Sequence, residues 1–267
     1  MTPVICLDPL YPELLTEEKI PRVASAGFRH VEFWSWRDKN IPAIHAACRK
    51  HDVQVVNFSG HRKGSPVAEE THAVLFADAS DAIPIARTLG CQTLMLLTNA
   101  LNPDGSVAER FEKISDDIKF RNTVAALRQL ISLVPGDMTL ILEPLNTRVD
   151  HVGYYLDDMD VASAIVREVG SPRLKILCDL YHFGIMGADL TKIVTDHLSE
   201  IGHFHIADVP GRHEPGTGSV DWAAMLRLIQ NRGYTGGVGF EYFPQSDSDS
   251  SLEAIRNLWE ASTGAQR

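Results

Sequence analysis

With 267 residues, of which 44% are hydrophobic and 22% charged, the chain has an ordinary globular composition and enough length for one large core, which excludes a disordered or low-complexity protein. A formal charge of −10 argues against a nucleic-acid partner, yet an acidic total still permits a locally positive pocket for a small anion. Cys6, Cys48, Cys91 and Cys178 lie far apart with no CxxC pair, so buried free thiols are expected; with no leader-like start and no apolar run of the ~20 residues that a membrane span needs, a cytoplasmic chain without membrane contacts is expected.

In chain order, a β-rich run PVICL (3–7) precedes the amphipathic stretch LLTEEKIPRVASAG, in which Thr16 is the expected N-cap and Gly27 the stop. HVEFW (30–34) is followed by IPAIHAACRKHD, and VQVVNF (53–58) by EETHAVLFADASDAIPIARTLG, ending at Gly90. TLMLL (93–97) leads to a long helix predicted over 110–134, and TLILEP (139–144) to DDMDVASAIVREVG, ending at Gly170. LKILCD (174–179), then ADLTKIVTDHLSEIG up to Gly202, HFHIAD (203–208), VDWAAMLRLIQNRG with Asp221 as N-cap and Gly233 as stop, GVGFEY (237–242) and SLEAIRNLWEAS complete the series. The strand candidates are continuous apolar runs rather than alternating ones, as expected of parallel strands covered by helices. Eight strand–helix units without a composition break predict one (β/α)₈ TIM barrel over 1–267. A doubly wound sheet fits the alternation less well, because no GxGxxG follows the first strand.

Barrel active sites form at the C-terminal strand ends. Strand five ends in Glu143, strand six in Asp179, strand seven in His205 and Asp208, and strand eight in Glu241. Buried anions at strand ends need a counter-charge, and one divalent ion bound by Glu143, Asp179, His205 and Glu241 supplies it economically. The alternative is internal salt bridging, for example to Arg148 or Arg173. Three carboxylates and one imidazole suit Mn²⁺ or Mg²⁺, with Co²⁺ or Zn²⁺ as further candidates.

The segments ILEPLN (141–146), CDLYH (178–182), HFHIADVPGRHEPGTGSVDW (203–222) and GYTGGVGFEYFP (233–244) resemble the hydroxypyruvate isomerase family, within the xylose isomerase-like barrels that also include ketose 3-epimerases and inosose isomerases. The resemblance is strong over 139–245 and collinear, though weaker, before it. It implies the same four metal ligands, with Glu143 and Glu241 as an acid/base pair, and it places His182 and Arg212 against substrate oxygens. From its position, His182 can contact a substrate hydroxyl, support the metal ligands or cap the next helix. Arg212 can clamp a carboxylate or remain a solvated loop residue, with Glu214 as its expected orienting partner. Pro215, Gly216 and Gly218 are expected to shape that loop. His61, with Arg62 and Lys63, either rings the mouth with positive charge or belongs to a solvated loop. His30, His45, His51, His72 and His197 are expected to be structural.

Two departures bear on the substrate. His205 stands where the hydroxypyruvate isomerase pattern often has glutamine, which resembles the epimerase branch, and NFSGHRKGSP (57–66) differs from the usual loop. Against the epimerases, Val149 occupies the position of their second glutamate. The expectation is a metal-dependent isomerase of a short hydroxy-oxo acid (hydroxypyruvate or a 2-oxo-tetronate) working through an enediolate; the alternative is a ketose 3-epimerase or inosose isomerase acting on a neutral sugar. A DNA-repair nuclease branch shares the barrel, but it clusters more histidines and carries a basic surface. The resemblance also implies a homo-oligomer.

Overall fold

The structure, a computed structural model, describes residues 1–264. Its strands are β1 (Thr2–Cys6), β2 (His30–Phe33), β3 (Gln54–Ser59), β4 (Thr93–Leu96), β5 (Thr139–Leu142), β6 (Leu174–Asp179), β7 (Ile201–Ile206) and β8 (Gly237–Phe240). They pair in parallel in chain order and β8 closes on β1, which makes the TIM barrel fold. Each strand lies within two residues of its predicted run.

Around the barrel run α1 (Thr16–Ser25), α2 (Ile41–His51), α3 (His72–Leu89), α4 (Asp116–Leu133), α5 (Met159–Val169), α6 (Leu180–Ile185), α7 (Leu190–His197), α8 (Trp222–Asn231) and α9 (Ser248–Thr263). Their starts follow from side-chain capping: Asn40, Asp158, Asp189, Asp221 and Asp247 each accept a backbone N–H of the first turn. Gly90 and Gly170 end α3 and α5 in the left-handed conformation. The core lies between the strands and these helices, so residues such as Ile5, Val31, Phe58, Leu94 and Ile141 are buried.

Three local expectations are corrected, and one short helix was not expected. The cap of α1 is Leu15, whose N–H donates to Glu18, and Thr16 is already helical. Residues 110–115 are not helical: Phe111 has φ 51, and α4 begins only at Asp116. Gly202 does not end a helix but lies in β7, where a Cβ would stand 2.6 Å from Lys175 Cβ on the neighbouring strand. The short α6, starting immediately after β6, lacks the length that periodicity needs to reveal a helix. No helix among the described residues is long and apolar enough to cross a membrane.

Candidate metal centre and active site

Glu143 and Glu241 sit one residue beyond β5 and β8, Asp179 ends β6, and His205 is the penultimate residue of β7. Neighbouring staves therefore deliver four buried groups to one end of the barrel. One ligand atom from each lies within 4.8 Å of all the others. His205 Nδ1 is 3.4 Å from Glu241 Oε2 and 3.8 Å from Glu143 Oε1.

Each side chain is oriented from outside the cluster. Pro144 disfavours helical backbone at Glu143, and Tyr154 fastens the strand end by donating to the Glu143 carbonyl at 2.8 Å. Asp179 caps α6 through Oδ1, which accepts Tyr181 N–H at 2.8 Å and leaves Oδ2 aimed at the cluster. His205 Nε2 faces Glu32 Oε1 at 3.0 Å, and Glu32 Oε2 is held by His203 Nε2 at 2.9 Å and Asn57 Nδ2 at 3.4 Å. This carboxylate beneath the imidazole leaves Nδ1 facing the other three ligand candidates, an arrangement common around metal-bound histidine. Two glycines of β8 make room for it: a Cβ on Gly239 would stand 2.2 Å from Glu32 Oε1, and one on Gly237 would stand 2.7 Å from the His203 ring.

The charges do not balance internally. Burial pushes Glu143 well above the usual carboxylate range, with Glu241 and Asp179 adding to the effect, and pushes Asp179 up to about 6. Burial also opposes ionisation of Glu241, but the adjacent Arg212 and His205 override it and hold the carboxyl low. Against the same burial cost, His205 and His203 hold Glu32 down at about 2. Asp179 Oδ2 and His205 Nδ1 make no hydrogen bond among the described residues. A divalent cation fits this set, since it would satisfy both orphaned atoms and offset the carboxylate excess.

Arg212 is the guanidinium at the cluster; Arg148 and Arg173 donate instead to backbone carbonyls elsewhere, so neither provides the alternative salt bridge. Arg212 Nη2 lies 2.6 Å from Glu241 Oε2 and 3.5 Å from Asp179 Oδ2, with its guanidinium over the Tyr181 ring. It is half-buried rather than fully solvated, in a loop tied by Asp208, which accepts from Val209, Gly216 and Val220 N–H groups. Asp208 is thus a loop knot outside the four-residue cluster. A Cβ on Gly218 would stand 2.4 Å from the Val209 carbonyl, so the loop requires glycine there. Glu214 does not orient Arg212; its carboxylate accepts Gln245 N–H at 2.9 Å, because the turn carries it away from the guanidinium.

His182 lies inside α6 rather than capping it, buried, with Nε2 at 3.4 Å from Asp179 Oδ2. Burial, reinforced by Arg212, pushes its pKa well down. His61 does not add positive charge to the mouth: burial pushes it down to about 4, Leu97 N–H donates to Nε2 at 3.1 Å, and Nδ1 faces the Lys63 carbonyl at 3.4 Å. The Arg62 and Lys63 N–H groups donate to Asp78, which anchors that loop to α3.

Sequence reasoning missed Glu32, His203, Trp34 and Asn146. Trp34 Nε1–H donates to Glu241 Oε1, and Asn146 contacts His182. A carboxylate in the middle of the apolar run HVEFW was the available signal for Glu32.

The comparisons agree with this fold. Residues 20–258 match the model of the family described as Xylose isomerase-like TIM barrel. The chain is 28% identical to the hydroxypyruvate isomerase of Escherichia coli (strain K12), over 88% of this chain and 90% of that protein. It is 26% identical to the 2-oxo-tetronate isomerase of Cupriavidus necator, over 92% of this chain and 94% of that protein. The crystal structure of an AP endonuclease, family 2, from Brucella melitensis superposes with a TM-score of 0.83 at 27% identity, covering 96% of this chain and 98% of the other. The chain belongs to the xylose isomerase-like TIM barrel family, as a relative of its hydroxypyruvate isomerases, and is an isomerase.

Proposed function

We propose that the chain is a metal-dependent isomerase of a short hydroxy-oxo acid, interconverting hydroxypyruvate and tartronate semialdehyde or acting on a 2-oxo-tetronate by the same proton transfer. The observation that carries this reading is the convergence of Glu143, Asp179, His205 and Glu241 beside the half-buried Arg212. The named relatives support the substrate class. Glu143, Asp179, His205 and Glu241 would hold the ion, with Mn²⁺ or Mg²⁺ best suited to the oxygen-rich set. The chemistry such an ion supplies when bound is Lewis acidity, which polarises a carbonyl and acidifies the neighbouring C–H.

The chain's own residues do the rest. One of Glu143 and Glu241 takes the proton from C3 of hydroxypyruvate, leaving an enediolate, and a carboxyl of the pair returns a proton to C2. The O3 proton ends on O2, so the ketone becomes a hydroxyl and the alcohol an aldehyde, with no atom gained or lost. Arg212 offers a planar fork for the substrate carboxylate, and His182 a donor for a substrate oxygen. The burial of Glu143, Glu241 and His182 limits competing contact with water.

The test is to supply hydroxypyruvate with Mn²⁺ or Mg²⁺ and assay tartronate semialdehyde; no turnover with either metal discards that substrate. The second reading, a neutral-sugar epimerase or inosose isomerase, draws on His205. A ketose and an inosose assayed in parallel separate the two, because Arg212 favours the anion only if a carboxylate is present. The formal charge of −10 speaks against a nucleic-acid substrate.

A further inference from the structure

Asp150, His151 and His182 form a second group whose ligand atoms lie within 4.8 Å of one another, off the four-residue cluster. The hydrogen bonds give this proximity a cause other than a cation. The Asn146 amide nitrogen stands between two members, 2.7 Å from Asp150 Oδ2 and 2.6 Å from His182 Nδ1. Its orientation is settled by its other atom: Asn146 Oδ1 accepts the N–H groups of Val149 at 3.1 Å and Asp150 at 2.9 Å. Flipping the amide would set donors against donors and an oxygen against the Asp150 carboxylate, so the nitrogen faces His182.

An amide nitrogen only donates, so His182 Nδ1 must accept, and its proton must sit on Nε2. Nε2 makes no hydrogen bond among the described residues, is buried, and lies 3.4 Å from Asp179 Oδ2. His151, packed edge-on at 5.3 Å between ring centroids, cannot substitute, since its Nδ1 is engaged by the Gly105 carbonyl at 2.7 Å.

We propose that Asn146, anchored by Asp150, is a positioning residue that fixes His182 as the Nε2–H tautomer, so that the imidazole presents a hydrogen-bond donor, never a base, to a substrate oxygen at the mouth. Asn146 follows the predicted ligand Glu143 by three residues in the same strand-end turn, so one short segment sets both a metal ligand and the polarity of the facing histidine. The tautomer follows from the amide alone; its role toward a substrate rests on the isomerase reading.

The test is a two-bond ¹H–¹⁵N correlation spectrum of the full chain with ¹⁵N-labelled histidine, with and without Mg²⁺, in which the His182 signals are assigned by their loss in His182→Gln. At pH 7 the native chain is expected to carry the His182 proton on Nε2. Asn146→Ala is expected to shift population to the Nδ1–H form and to lower kcat about 10–100-fold, with one metal ion per chain retained. Protonation of native His182 on Nδ1 or on both nitrogens overturns the proposal, as does an Asn146→Ala variant with an unchanged tautomer. The spectra need no substrate, so an Nε2–H tautomer without turnover of hydroxypyruvate discards that substrate and leaves the tautomer assignment intact.

Discussion

Replacing Glu32 by glutamine keeps the shape but removes the charge that two buried imidazoles face. Its carboxylate lies 2.9 Å from His203 Nε2 and 3.0 Å from His205 Nε2, and these partners hold it at about 2 against an ordinary 4.5. That depression corresponds to about 3 kcal/mol favouring the folded chain when the carboxyl is ionised. The folded pKa is the lower one, so the contribution is fully present above about 4.5 and is lost as pH falls toward about 2. Glu32→Gln should therefore unfold about 3 kcal/mol more easily at pH 7, a fall in Tm of roughly 6–10 °C for a chain of this size, and the gap to the native chain should narrow below pH 4.5. Urea titrations at pH 7 and pH 4 measure the gap. The same variant should weaken metal binding roughly 10–100-fold, because an amide carries one acceptor for two imidazoles and no charge to orient His205. A loss under ~0.5 kcal/mol at pH 7, within the ordinary range of surface substitutions, together with unchanged metal affinity, would refute the role given to the Glu32 pair.

Further outcomes follow from the same contacts. Burial pushes Glu143 well above the usual carboxylate range and Asp179 up to about 6, so metal binding should release protons and weaken as pH falls through 6; calorimetry in buffers of different ionisation heat would show no buffer dependence if this is wrong. Arg212→Ala should tighten metal binding by freeing Glu241 and Asp179, while raising KM more for hydroxypyruvate than for a neutral ketose; steady-state kinetics and metal titration check both. Gly218→Ala must displace the Val209 carbonyl or Asp208 and should cost about 1–3 kcal/mol in denaturant unfolding, with KM rising as the Arg212 loop shifts.

The barrel was legible because its signal is repeated: eight apolar runs, each followed by a helical pattern, outweigh any one misplaced boundary. The convergence of Glu143, Asp179, His205 and Glu241 was legible for a related reason, since strand ends share one rim and a charged group ending an apolar run is conspicuous. Glu32 was not, because it lies within its short run rather than ending it, and its partners are far away in sequence. Gly202 read as a helix stop because glycine has the same letter whether it supplies a positive φ or simply leaves space for a neighbouring strand; only packing against Lys175 separates the two. His61 and Glu214 fell in segments rich in polar residues, where sequence alone does not say which backbone group a side chain will find. Asn146 stood within the quoted ILEPLN segment, yet its role appears only when α6 brings His182 beside it.

The central claim, that four neighbouring staves share one cation, is tested most directly by titrating the metal-free chain with Mn²⁺ and counting bound ions, for the native chain and for single alanine replacements of Glu143, Asp179, His205 and Glu241. The expected result is one ion per native chain and a marked loss of affinity in every replacement. Unaltered binding in all four variants, or no binding by the native chain, would contradict it.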